Sequence, residues 1–169
     1  IGVEKHKSFL ETIGILDKIS FDIDEVGKPL KIDWNEGCKI ETIAFGHGIT
    51  TTILQLAKGY AIISNGGYEI TPTLIKDNSN KKIKRLKVLS NDVSKKMNIM
   101  MRKVVSEGTA KLVNVEGYQV GGKTGTAEQV SNSIYSKTKI NTLASIFPTD
   151  NPKFVLVVML ESTKNNKDY

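Results

Sequence analysis

The chain has 169 residues, the length of one ordinary domain, enough to bury a sizeable core and too little to expect two independent domains. Hydrophobic residues at 39%, charged residues at 25% and only 14 Gly with 4 Pro exclude collagen-like, low-complexity and fully disordered chains. The 24 Lys and Arg against 18 Asp and Glu give +6, but five of those cations sit in residues 81–87, and without that run the balance falls to +1. Those lysines carry no interleaved aromatics to stack on bases, so they read as a solvated run and no nucleic-acid partner is expected.

The chain opens at Ile1 with neither an initiator Met nor a signal peptide, as an excised piece of a longer protein would. Residues 1–14 read as a short helix with Val3, Phe9, Leu10 and Ile13 on one side and Gly14 to close it. Residues 20–38 dissolve into acidic and turn residues, a long surface connection anchored by Trp34. Cys38 is the single cysteine, which excludes an internal disulfide. Thr50, Thr51 and Thr52 offer N-cap oxygens to a helix that is apolar almost all round, from Ile53 to Ile63, and is stopped by Asn65-Gly66-Gly67. Such a helix is expected to be central. Residues 68–75 are extended, with Pro72 arguing against a central strand, and the lysine run that follows could form half of an exposed hairpin. Ser90 or Asn91 then caps an amphipathic helix with a stripe of Val93, Met97, Met100, Met101, Val104 and Val105, read as core packing and ended by Gly108.

The last third is strand-like: residues 117–128, a polar loop over 131–139, residues 141–147, a turn over 148–152, and residues 153–161. Short connections imply antiparallel neighbours. Phe154 to Leu160 is the longest strictly apolar run, seven residues, far short of the roughly 18 needed to span a membrane. As a strand it should be covered on both faces. The expected fold class is therefore α/β (α+β), an antiparallel sheet with helices on both faces.

Metal binding fails on inventory, because His6, His47 and Cys38 show no zinc-type spacing, and no cofactor is implied. Cys38 with His47 as base is a conceivable nucleophile, but a lone cysteine reads more simply as a small hydrophobe. No G-x-S-x-G elbow occurs. Residues 117–124 satisfy the phosphate-cradling pattern G-x-x-x-x-G-K-T, and Glu161 ends a strand as a Walker-B acid would. A phosphate loop must run straight into a helix whose amides hold the anion, whereas residues 125–133 carry no apolar stripe and begin with glycine. A P-loop NTPase is kept as the alternative.

Lys123-Thr124-Gly125-Thr126 on a strand also matches the K-T-G motif that accompanies S-x-x-K and S-D-N in penicillin-recognising serine acyl-transferases. The lysine supplies positive charge where an oxyanion and a carboxylate collect, threonine hydroxyls are short donors, and glycine lets an extended substrate approach the strand. Side chains alternate along a strand, so Lys123 and Thr124 serve one site only if the strand lies at a sheet edge.

With Ala44-Phe45-Gly46-His47-Gly48-Ile49, residues 52–57 (TILQLA), Ser64-Asn65-Gly66-Gly67 with Pro72, residues 122–127 (GKTGTA) and Phe147-Pro148 before the last strand, the whole chain resembles the C-terminal half of the transpeptidase domain of class B penicillin-binding proteins, especially the division-septum type. Thr52-Ile53 departs from the Thr-Pro pair common there, altering only the helix's first turn.

The resemblance implies a peptidoglycan D,D-transpeptidase that cross-links stem peptides ending in D-Ala-D-Ala through a serine acyl-enzyme and is acylated by β-lactams. Carried onto this chain, Lys123 would assist proton shuttling and anion binding. Thr124 and Thr126, with Gly125 between them, would hold the terminal carboxylate, and the backbone N–H of Thr126 would donate to the oxyanion hole. His47 reads as a structural or cleft-lining residue. S-x-x-K occurs at Ser79 with Lys82 and at Ser136 with Lys139, both in polar loops with no following apolar helix, and S-x-N does not occur. The nucleophile is therefore expected upstream of Ile1, the closing helix beyond Tyr169, and the piece alone should not acylate. Apolar surface left uncovered should favour self-association. The full-length protein would be membrane-anchored at the periplasmic face of the bacterial inner membrane, with divisome partners. A β-lactamase or a non-catalytic penicillin sensor on the same fold is the nearer alternative.

Overall fold

The computed structural model describes residues 2–34, 39–76, 85–131 and 134–161. The chain divides into two compact units, Ile1–Lys95 and Lys96–Tyr169.

The first unit opens with α1 (Val3–Thr12), and Gly14, at φ +76°, lets Ile15 N–H turn back to the Leu10 carbonyl at 3.0 Å. Of the expected apolar side of α1 only Ile13 is buried, Val3 and Leu10 being half-buried and Phe9 exposed. Its anchors are Ile13, Ile15 and Ile19, just after the helix. Residues 20–34 form the expected irregular connection, and the ring of half-buried Trp34 lies 5.9 Å from the Lys7 ammonium. Cys38 lies outside the described residues. A short helix that the sequence pattern did not suggest, α2 (Lys39–Ile43), follows.

Of the three threonines, Thr52 caps α3 (Ile53–Ser64). Its hydroxyl accepts from Gln55 N–H at 3.1 Å while Gln55 Oε1 accepts from Thr52 N–H at 3.0 Å, a reciprocal capping box. The helix is central along one stripe only, made of Gln55, Gly59, Ile62 and Ser64, and its two fully buried side chains are one apolar, Ile62, and one polar, Gln55. Gly67, at φ +85°, sits so close to the next segment that a Cβ would stand 2.2 Å from the Leu89 carbonyl. Beyond it Tyr68 pairs with Lys87 in an antiparallel bridge, so the end of the basic run does form one arm of an exposed pairing. Lys81, Lys82, Ile83 and Lys84 lie outside the described residues.

Ser90 is the cap of α4 (Asn91–Ser106), its hydroxyl accepting from Val93 N–H at 3.2 Å. The buried stripe is Ser94, Asn98, Met101 and Val105, rotated from the expected one, with Val93 and Met100 in solvent. One cause is local: Ser94 Oγ accepts the Gly66 N–H at 3.0 Å, which draws a polar position inward.

In the second unit β1 (Gly121–Ser131), β2 (Ile134–Phe147) and β3 (Phe154–Glu161) form an antiparallel sheet in the order β1-β2-β3. The middle strand is buried on both faces at Ala144, Ser145 and Ile146. β1 starts at Gly121 rather than Gly117, because the Arg102 guanidinium holds the Val120 carbonyl at 2.8 Å and Asn114 Oδ1 at 3.0 Å in an irregular approach. Most of the expected polar loop over 131–139 is instead strand backbone, since β2 begins at Ile134. β3 is also less covered than its apolar run suggested: Phe154, Leu156, Val158, Met159 and Leu160 are exposed, as a strand that pairs only with β2 among the described residues leaves them. Among the described residues no helix is long and apolar enough to cross a membrane.

Candidate active site

β1 approaches the site through two glycines. A Cβ on Gly121 would meet Thr149 Cγ2 at 2.5 Å, and one on Gly122 would meet the Ala144 carbonyl at 2.8 Å, so only glycine seats the strand this tightly. The motif follows in register with β2: Lys123 opposite Ala144, Thr124 opposite Leu143, Gly125 opposite Thr142, and Thr126 opposite Asn141. β1 lies at the sheet edge, the condition that Lys123 and Thr124 need to share a site. The Lys123 ammonium donates to the Thr124 carbonyl at 2.6 Å, so it curls back onto the strand backbone rather than standing off the opposite face.

Thr124 and Thr126 are two residues apart and share one face. They border an open groove of about 410 Å³, floored by Leu143, Val158 and Leu160. Three further polar residues line it, Thr109, Asn141 and Thr142. Thr109 places its hydroxyl 2.9 Å from that of Thr124, and the Thr126 hydroxyl donates to Asn141 Oδ1 at 3.0 Å. Neither Thr109 nor Asn141 was singled out by the sequence pattern. Thr109 is 15 residues from its partner, and Asn141 is recognisable only once the strand register is known, which the misread polar loop concealed.

Lys123 is not among the residues that line this groove, and His47 belongs to the first unit. His47 is exposed between Gly46 and Gly48, both at positive φ, with its ring 5.3 Å from that of Phe45. Ser79 and Lys82 lie outside the described residues, and Ser136 and Lys139 lie on the backbone of β2, not at a helix start. The P-loop alternative is overturned: Lys123 and Thr124 are the third and fourth residues of a strand that runs on to Ser131, and among the described residues no helix N-terminus follows to hold a phosphate. Among the described residues no three His, Cys, Asp or Glu side chains gather as metal ligands.

A family model described as the penicillin binding protein transpeptidase domain matches residues 1–169. The chain belongs to this transpeptidase family. Among curated relatives of this transpeptidase-family chain, Stage V sporulation protein D of Bacillus subtilis (strain 168) is 31% identical over 97% of the chain and 27% of its own length. Peptidoglycan D,D-transpeptidase FtsI of Buchnera aphidicola subsp. Baizongia pistaciae is 32% identical over 82% of the chain and 25% of its own length. Among solved structures, the apo transpeptidase domain of penicillin-binding protein 3 from Burkholderia pseudomallei superposes with a TM-score of 0.88 at 25% identity, over 95% of this chain and 50% of that one. The chain thus spans about a quarter of those two curated relatives and half of that solved domain. The mixed helix and antiparallel-sheet class expected from the sequence is the fold of these neighbours.

Proposed function

We propose that residues 1–169 are the C-terminal part of a single transpeptidase domain and carry the K-T-G side of its active site. The complete protein would be a serine-type peptidoglycan D,D-transpeptidase. The observation that carries this reading is the edge placement of Lys123-Thr124-Gly125-Thr126, with both threonine hydroxyls turned to one groove, in a chain that matches the family from end to end.

In the proposed reaction a serine from outside these residues attacks the carbonyl of the penultimate D-Ala, and the terminal D-Ala leaves with a proton. An amine of a second stem peptide then displaces the serine. Lys123 supplies positive charge beside the reacting centre and takes part in moving protons. Thr124 and Thr126 bind the terminal carboxylate, and Thr126 N–H donates to the developing oxyanion. A Cβ at Gly125 would meet nothing within 4 Å among the described residues. Packing therefore does not demand the glycine, which fits a backbone kept bare for an extended peptide to pair with. A β-lactam presents the same carboxylate and a strained amide to the same groups. Division-site partners, a membrane anchor and the periplasmic face belong to this reading of the whole protein.

The experiment is acylation by a fluorescent penicillin. The full-length protein is expected to be labelled and the 169-residue piece to remain unlabelled. Lys123→Ala in the full-length protein should lower the acylation rate by about a hundredfold or more, the loss typical of removing a charge that stabilises the transition state. An unlabelled full-length protein, or a Lys123→Ala variant acylated at the parent rate, would exclude the assignment.

A further inference from the structure

Thr109 lies just after α4, where Gly108 N–H and Ala110 N–H both donate to the Val104 carbonyl at 3.1 Å. Its hydroxyl is therefore presented by a tight helix terminus and not by a free loop. The contact with Thr124 is between two hydroxyls 2.9 Å apart, of which one gives a proton and the other receives it. The receiver keeps its own proton for a further acceptor. Thr126 is placed differently, because its hydroxyl donates to Asn141 Oδ1 at 3.0 Å, across the strand pair, a bond it must exchange to reach a carboxylate. Of the two hydroxyls on this face of β1, Thr124 is the one that can both receive from a neighbouring hydroxyl and donate into the groove.

We propose that Thr109 is a positioning residue for the transpeptidase reaction: its hydroxyl donates to Thr124 Oγ1 and so aims the Thr124 O–H at the substrate's terminal carboxylate. The proposal rests on the reading that Thr124 takes that carboxylate. A two-hydroxyl chain ending on an anion is cooperative, since each bond polarises the next. Without the first hydroxyl, Thr124 is free to turn its proton elsewhere, such as back to a backbone carbonyl.

The test compares acylation of the full-length protein by a β-lactam bearing its free carboxylate and by the methyl ester of the same compound. Thr109→Val is expected to slow the acid by about tenfold, the upper range of one neutral hydrogen bond, while changing the ester by less than about twofold. Thr109→Ser should restore the acid rate, and Thr109→Val should add nothing in a Thr124→Val background. Thr109→Ser also guards against misfolding, because it keeps the hydroxyl and removes only a methyl group. Equal slowing of acid and ester, full additivity with Thr124→Val, or an unchanged acid rate would overturn the proposal while the transpeptidase reading stood. A parent protein acylated by neither compound would overturn both.

Discussion

Gln55 has no exposed surface, and every polar atom of its side chain is used. Its Nε2 donates to the carbonyls of Gly14, Ile15 and Asp17 at 3.2, 3.2 and 2.7 Å, and its Oε1 accepts from the Thr52 N–H and hydroxyl. One amide therefore fixes the start of α3 and the turn after α1 together. Gln55→Leu, close in size, would take the donor from those carbonyls, of which the bond to Ile15 is buried. It is expected to cost about 2–4 kcal/mol, read as a lower urea midpoint at unchanged m-value. A loss below about 0.5 kcal/mol, as at an ordinary surface site, would contradict this role. The sequence displayed a threonine cap, with Thr50, Thr51 and Thr52 as candidates, but disguised Gln55, which sits in an apolar helix where periodicity weighs only its neighbours. The same blindness hid Thr109 and Asn141, because hydrogen bonds between side chains 15 residues apart leave no periodic trace.

Between elements, the irregular connection after α1 is tied down by one carboxylate. Asp22 accepts from the Thr73 hydroxyl at 2.7 Å and from the Leu74 N–H. The Thr73 hydroxyl first, then the Leu74 amide, hold its pKa below the ordinary aspartate value. A carboxyl depressed by folding stabilises the fold above its unfolded pKa and loses that contribution as pH falls through the folded one. The clasp is thus closed at neutral pH and opens in acid, below about pH 4. Protection of the Leu74 amide against hydrogen exchange, corrected for its intrinsic rate, should drop over that range in the parent protein and show no such step in Asp22→Asn. A parent profile without the step would remove the clasp. At this scale the sequence was legible where caps and glycines punctuate it, as at α3 and α4. It was not legible where a tertiary contact rotates a face, as when Ser94 turns inward to hold Gly66 N–H at 3.0 Å. The K-T-G strand and its need for an edge were readable because backbone alternation alone imposes them.

Across the whole molecule, the sheet keeps apolar side chains of both faces of β3 in solvent, with Leu156, Val158 and Leu160 on one side and Met159 on the other. Exposed apolar patches of this kind associate. The 169-residue chain is expected to show concentration-dependent sedimentation toward dimers or larger species, reduced by Leu156→Lys with Val158→Lys. Monomeric sedimentation throughout the accessible range would show that these faces do not stick. β1 and β2 also slip register between Glu128 and Val130, near the far end of their hairpin. From the pair Glu128 and Lys139 to the pair Val130 and Tyr135, β1 advances two residues and β2 four, so two extra residues are taken up locally. Lys123 to Thr126 stay paired with Ala144 to Asn141 on the near side of it. A length mismatch taken up at that slip therefore leaves unchanged which side chains of residues 123–126 meet the groove, so the pairing there does not depend on matched strand lengths beyond it.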